Sequence, residues 1–474
     1  MNPPLPPGIP FPSEKIKELL DADHRHLWHP FTQMQEWYGQ PCLIVAAAEG
    51  CSLIDVEGRR YLDGVSSLWA NVHGHRRKEL DEAIRNQLDR VAHTTLLGLA
   101  HPAAIELARE LAASAPKGLT RVFFSDNGST AVEAALKIAF QYWEQQKDER
   151  KRTKRRIVSF RNAYHGDTLG AVSVGGVDLF HERYRPLLFA SPKVPYPYCY
   201  RCHLGLAGPD CGMACADELE DLLEREGLST AALIIEPLVQ GAAGMIVPPE
   251  GFLKRVETIC RRHEVLLIAD EVAVGFGRTG TLFACEQEDV RPDLMALAKG
   301  ITGGYLPLAA TLATEEIYET FLGEVAEGKT FFHGHTFTGN PLACAAALAS
   351  LEIFRRERLL ERIQPKIRHF ESRLEAFREL ESVGDVRCKG LMAGIELVAD
   401  KETKQPYPVE KRVALKVILE ARRRGLVIRP LGDVVVLMPP LAVTLEELDR
   451  ILDVTYESID LVTRAVRAEG KGKS

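Results

Sequence analysis

Between residues 121 and 299 five short apolar runs, RVFFS (121–125), IVSF (157–160), ALIIEP (232–237), VLLIAD (265–270) and LMALAK (294–299), are separated by longer amphipathic stretches. Runs of this length suit strands buried on both faces, and the stretches between them suit crossover helices. One of these, TAVEAALKIAFQYW (130–143), carries apolar residues through successive turns. It also places Glu133 four residues before Lys137, the favourable order for a helical ion pair. The pattern predicts an α/β protein built on a doubly wound, mostly parallel sheet, with ligands bound beyond the carboxyl ends of its strands.

After about residue 346 the texture changes to charged helical sequence such as FRRERLLERIQPKIRHFESRLEAF, mixed with the short runs LVIRP and VVVLMPP. Thr444 and Glu447 have capping-box spacing ahead of a last helix. The expected organisation is therefore a large domain over 76–345 and a smaller α+β domain over 346–474, joined by strand-like pieces from residues 1–75. Six prolines at positions 3, 4, 6, 7, 10 and 12 predict an extended arm, and the tail EGKGKS is expected to be disordered.

Several function classes are excluded on simple grounds. The formal net charge of −7 opposes a phosphate-backbone partner, and the basic run KDERKRTKRR (147–156) is expected to be a solvated loop, so no nucleic acid is expected. No apolar run is long enough to span a bilayer, and no basic-then-apolar leader is visible, so we expect a cytoplasmic protein without a membrane partner. Ten cysteines in such a chain favour free thiols. Cys199, Cys202, Cys211 and Cys215 have a spacing that lets a loop wrap a tetrahedral zinc, and that equally describes a cysteine-rich surface loop. The histidines of VHGH and HGH lack clustered carboxylates and imply no metal.

The hexapeptide GFGRTG (275–280) has the letters of a dinucleotide fingerprint, but TLFACEQEDVRPD follows it, with Pro292 too close to allow the phosphate-binding helix that a fingerprint needs. Four other features carry chemistry. In RVFFSDNGSTAVEAALKIAF a strand turns at Asp126–Ser129 into a helix, where Gly128 and Ser129 can meet a phosphate or a hydroxyl residue can simply cap the helix. Tyr164, just past IVSF, can stack on a flat ring or cover the core. Asp270 ends a buried strand, where it can pair with a ring N–H⁺ or accept loop N–H groups. Lys299 ends another, among apolar and glycine residues that lower an ammonium pKa, as a Schiff-base lysine requires.

A phosphate cradle, an aromatic stacker, an aspartate for a ring nitrogen and an apolar-flanked lysine are what pyridoxal 5′-phosphate requires. Their order and spacing resemble the fold-type I, class III aminotransferases, whose signature IADEVAVGFGRTGTLFACEQEDVRPDL…AKGITGGYLPLAA looks like. Within that class HLWHPFTQM (26–34), DGVSSLWANVHGH (63–75), YHGDTLGAVSVG (164–175), FHGHTFTGNPLACAAALASL (332–351) and IRPLGDVVVLMPP (428–440) resemble the adenosylmethionine–8-amino-7-oxononanoate aminotransferases of biotin synthesis.

The resemblance implies a Schiff-base role for Lys299 and a pyridine-nitrogen partner in Asp270. It implies a ring contact by Tyr164 and phosphate binding by Gly128, Ser129 and Thr336. Thr336, in the His335-containing HGH segment, would come from the other subunit of a homodimer. Arg429 would hold the keto substrate's carboxylate, although an arginine in such a strand also suits a structural ion pair. Phe31, Leu68, Trp69 and Gly334 fall where substrate is met. Relatives using S-adenosylmethionine commonly carry Tyr and Trp where this chain has Phe31 and Leu68, and a branch with S-x-W and H-G-H forms is associated with lysine. The expected activity is a ping-pong transfer of an amino group from S-adenosylmethionine or L-lysine to 8-amino-7-oxononanoate, giving 7,8-diaminononanoate. The alternatives are another omega-amino acid or diamine aminotransferase, or a non-catalytic binding protein on this fold.

Overall fold

The computed structural model describes residues 10–206 and 211–471. Most of the proline-rich arm and the last three residues of the EGKGKS tail lie outside the described residues. After a helix over Ser13–His26, three antiparallel strands, β1 (Val45–Glu49), β2 (Ser52–Asp55) and β3 (Arg60–Asp63), lead into the large domain.

The central sheet has seven strands: β4 (Leu119–Ser125), β5 (Arg156–Phe160), β6 (Lys193–Val194), β7 (Thr230–Ile235), β8 (Leu266–Asp270), β9 (Leu294–Leu297) and β10 (Ala309–Thr314). Their order is β4-β10-β9-β8-β7-β5-β6, parallel from β9 to β6, with β10 antiparallel to both of its neighbours. The five apolar runs are β4, β5, β7, β8 and β9. Strand β10 breaks the parallel pattern and has a sequence, AATLAT, without the bulky residues that mark a strand. Its side chains are small because the helix Gly128–Glu144 lies close over it, with Thr311 Oγ1 donating to Ala131 O at 2.7 Å.

Two surface expectations are corrected. The Glu133–Lys137 ion pair does not form. Glu133 Oε1 accepts from Gly170 N at 2.8 Å, and Lys137 Nζ turns to His333 Nδ1 at 3.1 Å. The basic run is not wholly solvated either: Lys154 is buried and donates to Gly227 O at 2.7 Å and His263 O at 3.2 Å. Those carbonyls satisfy the ammonium, and burial pulls its pKa down to about 8.

The helix Pro341–Arg356 runs through position 345 and is followed by a helix over Leu359–Leu374. Beyond it come β11 (Val383–Lys389), β12 (Met392–Leu397), β13 (Leu426–Val427), β14 (Arg429–Leu431) and β15 (Val434–Leu437). An antiparallel sheet of order β11-β12-β15-β14 forms there, while β13 pairs in parallel with β3 through Leu62 N to Gly425 O at 2.8 Å and Gly64 N to Val427 O at 2.9 Å. The N-terminal strands thus close onto the C-terminal segment, and Val65, Phe276, Leu437 and Val454 share one buried cluster. The final helix, Leu445–Lys471, carries the expected box: Thr444 N donates to Glu447 Oε2 at 2.9 Å and Glu447 N to Thr444 Oγ1 at 3.1 Å. Among the described residues no helix is long and apolar enough to cross a membrane.

Candidate active site

A cavity of about 480 Å³ opens beyond the carboxyl ends of the parallel strands. Each strand delivers a different group: Asp126–Ser129 follow β4, Tyr164 and His165 follow β5, Glu236 follows β7, Asp270 ends β8, and Lys299 follows β9.

At one end lies the start of the helix Gly128–Glu144. Asn127, not Ser129, is the cap: its side chain accepts from Thr130 N at 3.2 Å, and Thr130 Oγ1 accepts from Asn127 N at 3.1 Å. Ser129 Oγ instead accepts from Asp167 N at 3.2 Å. The N–H groups of Gly128 and Ser129 have no protein acceptor among the described residues, which leaves two donors at the positive end of the helix dipole. Gly128 is needed for the close approach of Val272, whose Cγ1 would lie 2.7 Å from an added Cβ.

Asp270 is almost fully buried. Its Oδ2 lies 2.7 Å from His165 Nδ1, and its Oδ1 accepts from Val272 N at 3.1 Å. His165 Nε2 is buried without a partner among the described residues. Glu236 Oε2 accepts from Tyr164 N and its Oε1 from Gly241 N, both at 3.1 Å. Burial, reinforced by the charge of Asp270, pushes Glu236 up to about 7 against the lowering effect of His165 and those two N–H groups. The Tyr164 hydroxyl donates to Asp167 Oδ2 at 2.6 Å, and burial together with that carboxylate raises its pKa well above 10, so the phenol stays neutral.

Lys299 opens a short 3-10 turn with φ of 47°, a left-handed conformation that is rare outside glycine. Its Nζ sits 4.9 Å from the centroid of the Trp69 ring. Burial lowers its pKa to about 8, with Asp270 and Glu236 acting in the opposite direction and Arg278 in the same one. Trp69 is only 8% exposed, and its Nε1 has no partner among the described residues. Ser66, Ser67 and Trp69 all have positive φ, so the turn beneath the lysine is strained. Asp63 supports it by accepting from Ser67 N at 2.7 Å.

The remaining candidates lie away from this lining. Phe31 and Leu68 are exposed, at 62% and 51%. His335 Nδ1 lies 3.0 Å from Asp126 Oδ2 at the cavity rim, whereas Gly334 and Thr336 are exposed and outside the lining. Arg429 is exposed on β14, with no carboxylate partner among the described residues. The four clustered cysteines border a separate cavity of about 520 Å³, and all are free thiols. Among the described residues no group of three or more His, Cys, Asp or Glu is arranged to hold a metal. Sequence reasoning passed over His165, Glu236 and Asn127. Glu236 directly follows a buried strand much as Asp270 ends one, and that signal could have found it.

The chain matches the aminotransferase class-III family over residues 33–459. It belongs to the class-III aminotransferases. It is 57% identical over 453 residues to the adenosylmethionine-8-amino-7-oxononanoate aminotransferase of Geobacter sulfurreducens, covering 95% of this chain and 99% of that one. Among solved structures, the enzyme of the same name from Methanocaldococcus jannaschii superposes with a TM-score of 0.90 at 46% identity, covering 94% and 99% of the two chains. A PLP-bound amine transaminase from an uncultivated Pseudomonas species superposes with a TM-score of 0.87 at 37% identity, covering 92% and 99%.

As in other class-III aminotransferases the cofactor is pyridoxal 5′-phosphate, and the residues present fit it. The free Gly128 and Ser129 N–H groups suit a phosphate, the buried Asp270 suits a protonated ring nitrogen, and Lys299 is an amine whose pKa burial has lowered to about 8.

Proposed function

We propose that this aminotransferase converts 8-amino-7-oxononanoate to 7,8-diaminononanoate in biotin synthesis, taking the amino group from S-adenosylmethionine or L-lysine. The observation that carries the acceptor is 57% identity along nearly the whole of a relative bearing that name. When bound, pyridoxal phosphate supplies a sink for the electron pair left as the substrate Cα–H bond breaks. In our reading Lys299 Nζ holds the cofactor at rest and, once freed, carries the Cα proton. Its lowered pKa supports both tasks, because they require an unprotonated amine. Asp270 Oδ2, steadied by His165, keeps a proton on the ring nitrogen. Tyr164 would meet the ring, and Gly128 and Ser129 would hold the phosphate.

The exposure of Thr336 and Gly334 supports a homodimer in which His335 and Thr336 complete the partner's phosphate site and Gly334 meets substrate. So do the apolar side chains that flank them in sequence, where Phe332 is 82% and Phe337 58% exposed. Arg429, unpaired among the described residues, is suited to the carboxylate of the keto acid. Phe31, Leu68 and Trp69 form the wall that meets the donor. In our reading the large domain gives way to the smaller one near 345, within the helix Pro341–Arg356, and the β3–β13 pairing supports joining the N-terminal strands to the C-terminal domain. The cytoplasm, where free thiols persist, is our proposed site of action.

The likeness to an amine transaminase supports a second reading, with a different amine pair. Incubating purified enzyme with 8-amino-7-oxononanoate and each donor in turn decides between the two. Diaminononanoate with one donor supports the first reading and names that donor, whereas none with either refutes it.

A further inference from the structure

We infer that Phe180 is a specificity-determining residue for the amine donor, an inference that rests on the aminotransferase reading above. Phe180 lies in the short turn Asp178–His181, beyond the cavity lining and outside the motifs that mark the site. Its ring stands edge-on to Phe31, at 5.3 Å between centroids and 74°, to Tyr164, at 6.2 Å and 86°, and to its neighbour His181, at 6.3 Å and 71°. Phe180 therefore links a cavity residue to Phe31, an exposed side chain of the N-terminal segment.

The turn is fastened at the base of the site. Gly176 N donates to Ala163 O at 2.7 Å, and Asn162 N donates to Gly176 O at 3.1 Å, which ties the segment to the residues just before Tyr164. His181 is buried with its ring 15° from parallel to that of Tyr164. Gly175 makes room for it, since a Cβ there would lie 2.4 Å from His181 Cε1. Phe180 is thus held by its neighbours in sequence. Phe31 has a φ of 51° and is 62% exposed, and among the described residues Phe180 is its one aromatic neighbour.

Phe31, Phe180 and Tyr164, each edge-on to the next, offer π faces and edges to whatever extends outward from the reacting amine. Such a wall suits a donor whose distal end is cationic or flat, through cation–π and aromatic contacts. The keto acid instead needs a cation for its carboxylate, which the three rings do not supply. Phe180 therefore acts on the donor half-reaction.

The two half-reactions are followed separately in single-turnover experiments on the holoenzyme. Phe180→Ala should lower kcat/KM for the donor by about tenfold, through KM, with the acceptor half-reaction within about twofold of the unaltered enzyme. The visible absorbance of the resting cofactor should not move. Phe180→Tyr should restore donor kcat/KM, and Phe180→Leu, with apolar bulk but no ring, should not. Equal losses in both half-reactions, or rescue by leucine as complete as by tyrosine, would overturn the inference. Failure of the unaltered enzyme to turn over with either donor would instead count against the aminotransferase substrates proposed above.

Discussion

Lys299 shows why a charged residue at the end of an apolar strand is worth reading from sequence. Its cost of burial is what lowers its pKa, and the same burial makes it a nucleophile near neutrality. Only the unprotonated amine can attack, so capture of pyridoxal phosphate by cofactor-free protein should accelerate as pH rises through about 8 and then level off. Well below that midpoint the rate should fall about tenfold per pH unit. Growth of the visible absorbance measures it, and a midpoint near the ordinary lysine value of 10.5 would refute the buried-amine account. Glu236 opposes the shift, so Glu236→Gln should move the midpoint further down. Asp270 and Lys299 were legible because each is a charge at the end of a buried run. His165 was not, since its role rests on a partner 105 residues away, a distance at which local pattern is silent.

At the scale of elements, the sequence placed the helix after β4 but not its geometry. A hydroxyl cap was a natural reading of Ser129, yet Asn127 caps and Ser129 is left for other contacts. Strand β10 escaped because Ala and Thr are required by the helix packed on it, and small residues carry little strand signal. In GFGRTG the arginine gave no hint of its place. Arg278 is 1% exposed and donates to Pro439 O at 2.7 Å and to Asn71 O, fastening C-terminal and N-terminal segments to the loop between Asp270 and Lys299. The close fit at the helix start has a consequence that can be measured. Gly128→Ala places a methyl 2.7 Å from Val272 Cγ1, so either the helix start or the valine must shift. Cofactor affinity, from absorbance titration, should weaken about tenfold, and adding Val272→Ala should recover most of it. Unchanged affinity in the single variant would show that the helix start does not hold the phosphate.

At the scale of the molecule, the N-terminal strands, the central sheet and the C-terminal segment share one core, and the cavity lies within that arrangement. What a single chain leaves over is as informative: Thr336 and Gly334 are exposed, and the flanking Phe332 and Phe337 are exposed apolar side chains. A site that borrows Thr336 from its partner can be tested by complementation. Lys299→Ala and Thr336→Asp should each be inactive alone. When the two are co-expressed, a mixed dimer forms one site with an intact Lys299 from one subunit and an intact Thr336 from the other, and a second site with both defects. Random pairing in a two-fold dimer makes about half the dimers mixed, with one working site in each, so about a quarter of full activity should return. Were Thr336 to serve its own chain's cavity, each subunit would carry its defect into every dimer and co-expression would restore nothing. Turnover per subunit in the mixed preparation, read against each parent variant, separates the two arrangements.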